Sequence, residues 1–320
     1  MKNTRQTTNN RILNLIWLAL AASLILLPMR QTTASAENAG LKALIVTGQN
    51  SHDWKVSTPI IKQIVENTGL FTVDIVESPA SGKNMGQFSP VFSMYDVVIL
   101  NYQGDSWPEQ TREKFINYVK NGGGVVVYHA ADHAFPDWKE YYTIIGLGGS
   151  KGGNETLGPY VFFKDEKIVT DASPGIAAYH GHLHEFVVTN RETNHPITKG
   201  LPVKWMHARD ELYSLLRGPA KNLTVLATAY SDPVYSGSGR HEPVLFTVLY
   251  GKGRVFHTVL GHTGKEKSSN AVDCAGFIVT FQRGTEWAAT GKVTQIIPGD
   301  FPAVHTDVPF LTQVRIWPDY

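Results

Sequence analysis

Three segments in the first half of the chain are apolar at almost every position, a pattern that few folds can accommodate. They are Leu41–Thr47, Asp96–Leu100 and Val125–Tyr128. A strand that is apolar on both sides has to be covered on both sides, as the strands of a parallel sheet are. Between them, Val56–Thr68 and a stretch that opens at Pro108 carry apolar residues at helical spacing. The alternation predicts a doubly wound, flavodoxin-like α/β fold, with a mainly parallel sheet and helices on both faces.

The segments beyond Gly149 are shorter, and they predict β-structure followed by one helix. The predicted strands are Tyr160–Phe163, Glu185–Thr189, Leu223–Ala229, Pro243–Leu249 and Arg254–Leu260. Residues 250–253 predict a hairpin turn, and Asn270–Phe281 predicts a last helix. Because the sequence contains no internal repeat and no strong linker, residues 37–291 are predicted to form one domain, followed by a proline-rich, extended tail at 292–320.

The first 36 residues have the pattern of a secretory signal peptide. Residues 1–11 are basic, 12–27 are almost purely apolar, and Ala34–Ser35–Ala36 is a small-x-small cleavage signal. We expect cleavage after this signal and export to the periplasm or the medium, with no membrane span left afterwards. The alternative is an uncleaved membrane anchor, which Trp17 would suit, although the apolar stretch is short for a span of roughly 20 residues.

Charge and cysteine content exclude several classes of function. The net charge is +1, and the predicted mature chain has no run of basic residues, so nucleic-acid binding is not expected. The one cysteine, Cys274, cannot form an internal disulfide. Its apolar neighbours are expected to raise the pKa of its thiol, which predicts a packing role rather than a nucleophile.

Histidines follow the ends of three predicted strands. His52 lies shortly after Leu41–Thr47, His129 directly follows Val125–Tyr128, and His262 follows the strand that ends at Leu260. Ligands of open α/β sheets bind outside the carboxyl ends of the strands, so these side chains are predicted to face one crevice. The alternative is structural, since a loop histidine can also cap a helix or fill a partly buried corner.

Several motifs between Leu41 and Gly291 resemble those of the trehalose-utilisation (ThuA-like) family, whose fold resembles that of class I glutamine amidotransferases. The motifs are Ile45–Gly48 with His52–Trp54, Gly123–Ala131, His195–Leu201, Asp210–Tyr213, Glu242–Val244 and Gly251–Phe256 running to Leu260–His262. The resemblance implies carbohydrate metabolism, most specifically action on oxidised (3-keto) glycosides or disaccharides. Class I amidotransferases carry a nucleophilic cysteine where this chain has His129, so glutamine amidotransferase activity is excluded.

Four residues are predicted to be catalytic: His52, His129, Glu211 and His262. Of the adjacent acids we favour Glu211 over Asp210, because the family motif centres on it. A 3-keto group acidifies the neighbouring C–H, so a histidine can abstract that proton while Glu211 protonates the leaving oxygen. The chain is accordingly predicted to be an enzyme that hydrolyses, eliminates or isomerises its substrate.

Further residues are predicted to bind the carbohydrate or a metal. The substrate-binding candidates are Asp53, Trp54, Asp132 and Tyr213. Asp132 is also a candidate to orient His129, because a carboxylate that accepts an imidazole N–H fixes the tautomer of the ring. If residues 179–185 are extended, His180, His182 and His184 point to one face, and His182 and His184 can bind a divalent metal such as zinc; in a loop the three would serve individually. The alternative to an enzyme is a non-catalytic sugar-binding or accessory protein.

Overall fold

One eleven-stranded sheet forms the centre of the molecule, and its two halves are built differently. The structure, a computed structural model, describes residues 40–150, 152–264, 270–299 and 301, so the predicted signal peptide lies outside the described residues. The strands are β1 Leu41–Thr47, β2 Phe71–Glu77, β3 Val97–Leu100, β4 Gly124–Tyr128, β5 Tyr160–Lys164, β6 Lys167–Asp171, β7 Tyr179–His180, β8 His184–Asn190, β9 Lys204–Asp210, β10 Tyr213–Ser214, β11 Leu223–Tyr230, β12 His241–Tyr250 and β13 Gly253–Thr258. The helices are α1 Trp54–Glu66, α2 Glu109–Lys120, α3 Lys139–Ile145 and α4 Ala275–Thr290.

The strand order is β2-β1-β3-β4-β13-β12-β11-β8-β9, with β5 on β12 and β6 on β5. In this sheet order, the neighbouring strands from β2 through β1, β3 and β4 to β13 are parallel. All pairs on the other side of β13, including those of β5 and β6, are antiparallel. The short strands β7 and β10 form a separate antiparallel pair. The halves meet at β13, which joins β12 through the predicted hairpin at residues 250–253.

The parallel half is covered by helices on both faces, as its apolar strands require. Alternate residues of β1 enter different cores: Ala43 and Ile45 pack with residues of α1 and α4, whereas Leu44 and Val46 pack with residues of α2 and α3. The predicted doubly wound α/β class is therefore confirmed. None of the described helices is long and apolar enough to cross a membrane.

The last helix begins and ends later than the sequence predicts. Residues 271–273 form a 3-10 turn, and α4 then runs to Thr290 instead of ending at Phe281. The polar residues that follow Phe281 are buried, and several of them bind backbone groups. Arg283, for example, donates hydrogen bonds to carbonyl oxygens in the segment 196–199 and to that of Gln295.

The beginning of the predicted tail lies against the domain. Residues 292–299 form no helix or strand, and Val293 and Ile297 pack against the main core. Glu286 of α4 accepts hydrogen bonds from the backbone and side chain of Thr294. Residues 302–320 lie outside the described residues, so the extended form predicted for the tail stays a prediction.

Candidate active site

The structure brings together the four side chains that the sequence nominates as catalytic. His52 lies in the loop between β1 and α1, His129 directly follows β4, and His262 follows β13 after a short loop. These strands are parallel, so the three histidines meet at one edge of the sheet. Glu211 directly follows β9, which runs in the same direction as β13 because four antiparallel pairings separate them. We call these four residues the His–Glu cluster.

The carboxylate of Glu211 lies at the centre of the cluster. Its Oε2 is 3.2 Å from His52 Nε2 and 3.4 Å from His129 Nε2, and its Oε1 is 3.3 Å from His262 Nδ1. The ring centroid of His52 is 4.7 Å from that of His129 and 4.8 Å from that of His262. One donor atom from each of the four residues lies within 4.8 Å of all the others.

His129 is held in one orientation by its backbone and by two neighbours. Its φ of 47° lies in the left-handed region, where a Cβ atom makes the backbone conformation energetically unfavourable. This conformation forms a tight turn directly after β4. Its Nδ1 lies 2.6 Å from the carbonyl oxygen of Val259, and Tyr213 stacks on its ring with a centroid distance of 4.5 Å. Since Nδ1 donates to that carbonyl, Nε2 carries the lone pair of the neutral ring and faces the cluster.

Asp210 fixes the backbone that carries two members of the cluster. It is fully buried, and its carboxylate accepts hydrogen bonds from the N–H groups of Glu211 (2.8 Å), Gly261 (2.7 Å) and His262 (3.0 Å). It also accepts one from His207 Nε2 at 2.7 Å. Asp210 therefore ties the end of β9 to the loop after β13, while Glu211 points into the cluster.

Burial and mutual contact set the ionisation of the cluster. Burial, together with the neighbouring His129, lowers the pKa of His52 to about 4. Burial disfavours the charged form of His129 as well, but contact with Glu211 outweighs it and raises the pKa of His129 overall. In the same way, burial alone would raise the pKa of Glu211, yet hydrogen bonds to three imidazoles hold it far below its usual range. These contacts hold Glu211 as a carboxylate, which disfavours its predicted role as the acid that protonates the leaving oxygen; that role stays a prediction.

The predicted substrate-binding residues take different places. Trp54 and Asp53 line a cavity of about 510 Å³ together with His52, Glu211 and His262. The Asp53 carboxylate also caps α1, where it accepts a hydrogen bond from the N–H of Val56 at 3.3 Å. Tyr213 is buried, with its hydroxyl 3.1 Å from His129 Nε2.

Asp132 has a structural position, and the expectation that it orients His129 is wrong. It is fully buried, pairs with Nδ1 of His133, and lies 3.5 Å from Nε2 of His257. The 3-10 turn at 129–133 carries Asp132 away from the ring of His129. The Val259 carbonyl takes the orienting role instead.

The three histidines between Tyr179 and Glu185 do not act as a set. β7 ends at His180 and β8 begins at His184, so the segment is not one continuous strand. His182 is exposed, whereas His184 is buried and stacks on Tyr235 with a centroid distance of 4.0 Å. Within the described part of the chain, the one group of three or more residues placed to hold a metal is the His–Glu cluster, which includes neither His182 nor His184.

His180, which the sequence weighed only as part of that set, reaches the active site. Its Nε2 lies 3.6 Å from Oε1 of Glu211, and its side chain is 44% exposed. β7 pairs with β10, so this histidine is placed beside Tyr213 by a two-residue ladder that leaves no visible pattern in the sequence. His180 is the solvent-facing imidazole at the rim of the cluster.

Cys274 packs in the core as predicted, but its surroundings differ from the prediction. The residue is buried, and burial raises the pKa of its thiol; the neighbouring His207 more than reverses this and lowers it. Burial opposes the charge of His207 in turn, but Cys274 and then Asp210 raise the pKa of His207 to about 10. The apolar neighbours along the sequence gave no sign of this histidine, which comes from β9.

The sequence matches the family model ThuA, described as trehalose utilisation, over residues 42–288. A solved ThuA-like protein from Parabacteroides merdae is 55% identical, with a TM-score of 0.80; the match covers 82% of this chain and 95% of that one. A ThuA-like protein from Bacteroides uniformis is 20% identical over 79% of this chain and 93% of its own, with a TM-score of 0.51, and so is similar in fold. No curated protein matches the sequence. All four members of the cluster fall inside the matched range.

Proposed function

This chain belongs to the ThuA family, whose model is described as trehalose utilisation, and we propose that it is an exported enzyme that processes a carbohydrate at the His–Glu cluster. One observation carries the proposal: three imidazoles and one carboxylate converge beside a cavity at the carboxyl edge of the sheet. Ligands of open α/β sheets bind at this edge. Trp54 in the wall of the cavity gives an apolar ring face of the kind against which a sugar ring packs.

The substrate class that we propose is an oxidised glycoside or disaccharide with a keto group at C3. Such a ketone acidifies the C2–H bond, so that proton transfer by an imidazole suffices to start the reaction at neutral pH. In an elimination, the base removes the C2 proton and the electron pair forms the C1–C2 double bond. The glycosidic oxygen then leaves C1 and takes up a proton. Hydrolysis follows if water adds back across that bond.

The residues divide this work between the interior and the rim of the site. We assign the proton transfer to His180, because its imidazole is exposed at the rim of the cluster. It takes the C2 proton and gives it to the glycosidic oxygen. Glu211 is ionised and therefore orients the rings around it rather than donating a proton. His52 and His262 lie in the wall of the cavity and contact the substrate oxygens on which negative charge develops, as preorganised polar groups do in other enzymes.

The test is turnover of matched substrate pairs by the purified mature protein. We expect 3-ketotrehalose, or another 3-keto disaccharide, to be cleaved with release of a monosaccharide, while the unoxidised disaccharide is left intact. The variants H180A and H129A should lose turnover with little change in substrate affinity, and H184A, which lies outside the cluster, should retain it. If both variants change affinity and no substrate is ever converted, the protein is a sugar-binding module.

Export is part of the proposal and rests on the first 36 residues, with their basic, apolar and small-x-small succession. N-terminal sequencing of the protein from a periplasmic or secreted fraction should begin at Glu37. Recovery of a chain that still carries residues 13–27 would show that the segment is an anchor.

A further inference from the structure

We propose that the His–Glu cluster binds one divalent transition-metal ion through His52, His129, Glu211 and His262. The inference concerns the same residues as the proposed function but does not depend on it, because the ion can bind whether or not a sugar is processed. It also differs from the pattern in the sequence, which suggested His182 and His184.

The first observation is the spacing of the donor atoms. A charge-assisted hydrogen bond between an imidazole and a carboxylate is about 2.7–2.9 Å long. The three separations from Glu211 to its imidazoles are longer, at 3.2, 3.3 and 3.4 Å. Four ligands held about 2.1 Å from a tetrahedral ion lie roughly 3.4 Å apart along each edge. The three imidazole–carboxylate separations are therefore close to the edges of such a shell, and the widest separation between donor atoms, up to 4.8 Å, has to shorten when an ion binds.

The second observation is the orientation of His129. Its Nδ1 donates to the Val259 carbonyl at 2.6 Å, and in metal sites a carbonyl bound in this way to the far nitrogen of a ligating histidine fixes the tautomer of the ring. The Nε2 lone pair then faces Oε2 of Glu211 at 3.4 Å. Two lone pairs at this distance repel unless a cation lies between them. Without a bound ion, the Tyr213 hydroxyl, 3.1 Å from Nε2, can donate a hydrogen bond to the same lone pair.

The third observation is that the ligands are preorganised. Asp210 binds the N–H groups of Glu211 and His262, so two of the four ligands share one buried anchor. The tight turn at His129 and the loop before α1 fix the other two. Four separate segments of chain thus deliver one donor atom each to a space less than 5 Å across, with all four atoms within 4.8 Å of one another.

The donor set selects the class of ion. Imidazole nitrogens suit zinc, copper, nickel and ferrous iron, whereas magnesium and calcium prefer shells made of oxygen. Three imidazoles and one carboxylate carry a single negative charge when the rings are neutral, which a divalent ion more than offsets. Zinc and cobalt(II) are accordingly the probes of choice, with magnesium as the negative control. When bound, such an ion would supply a Lewis acid for a carbonyl oxygen.

The test is metal binding by the full mature protein after treatment with a chelator. Titration calorimetry with ZnCl₂, checked by elemental analysis, should give one ion per chain, and MgCl₂ should give no comparable binding. H52A and E211Q should weaken zinc binding by more than about 100-fold, which exceeds the roughly 10–100-fold cost of losing a residue that only supports a ligand by a hydrogen bond. H184A is the matched control and should bind zinc as the wild type does.

Cobalt(II) gives a readout that does not depend on any variant folding well. Its visible absorption should show bands typical of a nitrogen- and oxygen-coordinated ion, and zinc should displace it with loss of the colour. Zinc should also raise the melting temperature of the wild type. Retention of zinc affinity in H52A and E211Q, or its loss in H184A, would overturn the proposal. Binding of zinc by a protein that converts no sugar would contradict only the proposed function.

Discussion

The parallel and antiparallel halves of the sheet contribute to the active site in different ways. The parallel half supplies His52, His129 and His262, each just beyond the carboxyl end of a strand. The antiparallel half supplies Glu211 from β9, which lies four strands away from β13 in sheet order. At about 4.8 Å per strand a flat sheet would separate them by roughly 19 Å. Yet Asp210, at the end of β9, binds the N–H of Gly261 at 2.7 Å.

The antiparallel half must therefore curl back over the end of β13. The strands of this half have irregular pairing at two places. One lies in β11 near Ala227, and the other lies between β8 and β9 near Phe186. Bulges of this kind bend a strand and increase its twist. Parallel strands thus gather their histidines by a general rule, whereas the acid reaches them only because this particular sheet is curved.

The largest effect should follow from removing the one acid that the curled half delivers. E211Q keeps the size of the side chain but removes the charge that holds three imidazoles. We expect turnover of a 3-keto disaccharide to fall by about 10²–10³-fold, the usual cost of losing a preorganised polar group in an active site. Steady-state kinetics, with circular dichroism to confirm folding, measure this. An unchanged kcat would mean that the antiparallel half takes no part in the chemistry.

The next effect concerns the contact that joins the two halves. D210N leaves buried N–H groups of Gly261 and His262 facing a neutral amide, and it unpairs the buried His207. The free energy of unfolding should fall by about 3–4 kcal/mol, as when one partner of a buried ion pair is removed. Urea unfolding gives the value. D171N, at an ion pair with Arg240 that is partly exposed, is the matched control and should change the unfolding free energy far less than D210N does.

A third prediction concerns a buried acid within the antiparallel half. Burial raises the pKa of Glu242, on β12, to about 7 from its usual 4.5. Between pH 4.5 and 7, Glu242 is ionised in the unfolded chain but still protonated in the folded one. The free energy of unfolding therefore falls as the pH rises through this range. The loss should reach about 3 kcal/mol above pH 7, at 1.36 kcal/mol per pKa unit.

The variant E242Q isolates this contribution. It cannot ionise, so the part of the decline between pH 4.5 and 7 that Glu242 causes should be absent from its unfolding free energy. Urea unfolding of wild type and variant across that range makes the comparison. Parallel curves for the two proteins would show that Glu242 ionises equally well in the folded and unfolded states.

The smallest expected effect lies in the parallel half, at the cap of α1. D53A removes the side chain that accepts a hydrogen bond from Val56 N–H, and it should cost about 1 kcal/mol of stability. D53S should restore most of that stability, since serine is also a good cap. If Asp53 binds the sugar as well, D53S will recover the melting temperature but not the KM. Full recovery of both would leave Asp53 a capping residue only.

Local pattern was sufficient for much of the parallel half. β1 was predicted with the same bounds as observed, and His129 was predicted to follow β4 directly, as it does. The pattern failed where polar residues are buried by tertiary contacts. α4 continues past Phe281 because Arg283 satisfies backbone carbonyls, and β9 is a strand although it contains the buried His207 and Asp210.

The sequence by itself determined the parallel sheet and the edge at which three histidines meet, because strands that are apolar on both faces must be covered by helices on both sides. Only the tertiary structure decided that Glu211 reaches them and which further histidine joins them. Glu211 depends on the curvature of a sheet, and His180 on a two-residue strand pair, neither of which has a periodic signature. It also decided that Asp132 turns toward His257 rather than His129. Long-range contacts of this kind are set by packing between distant segments, which no local spacing of residues encodes.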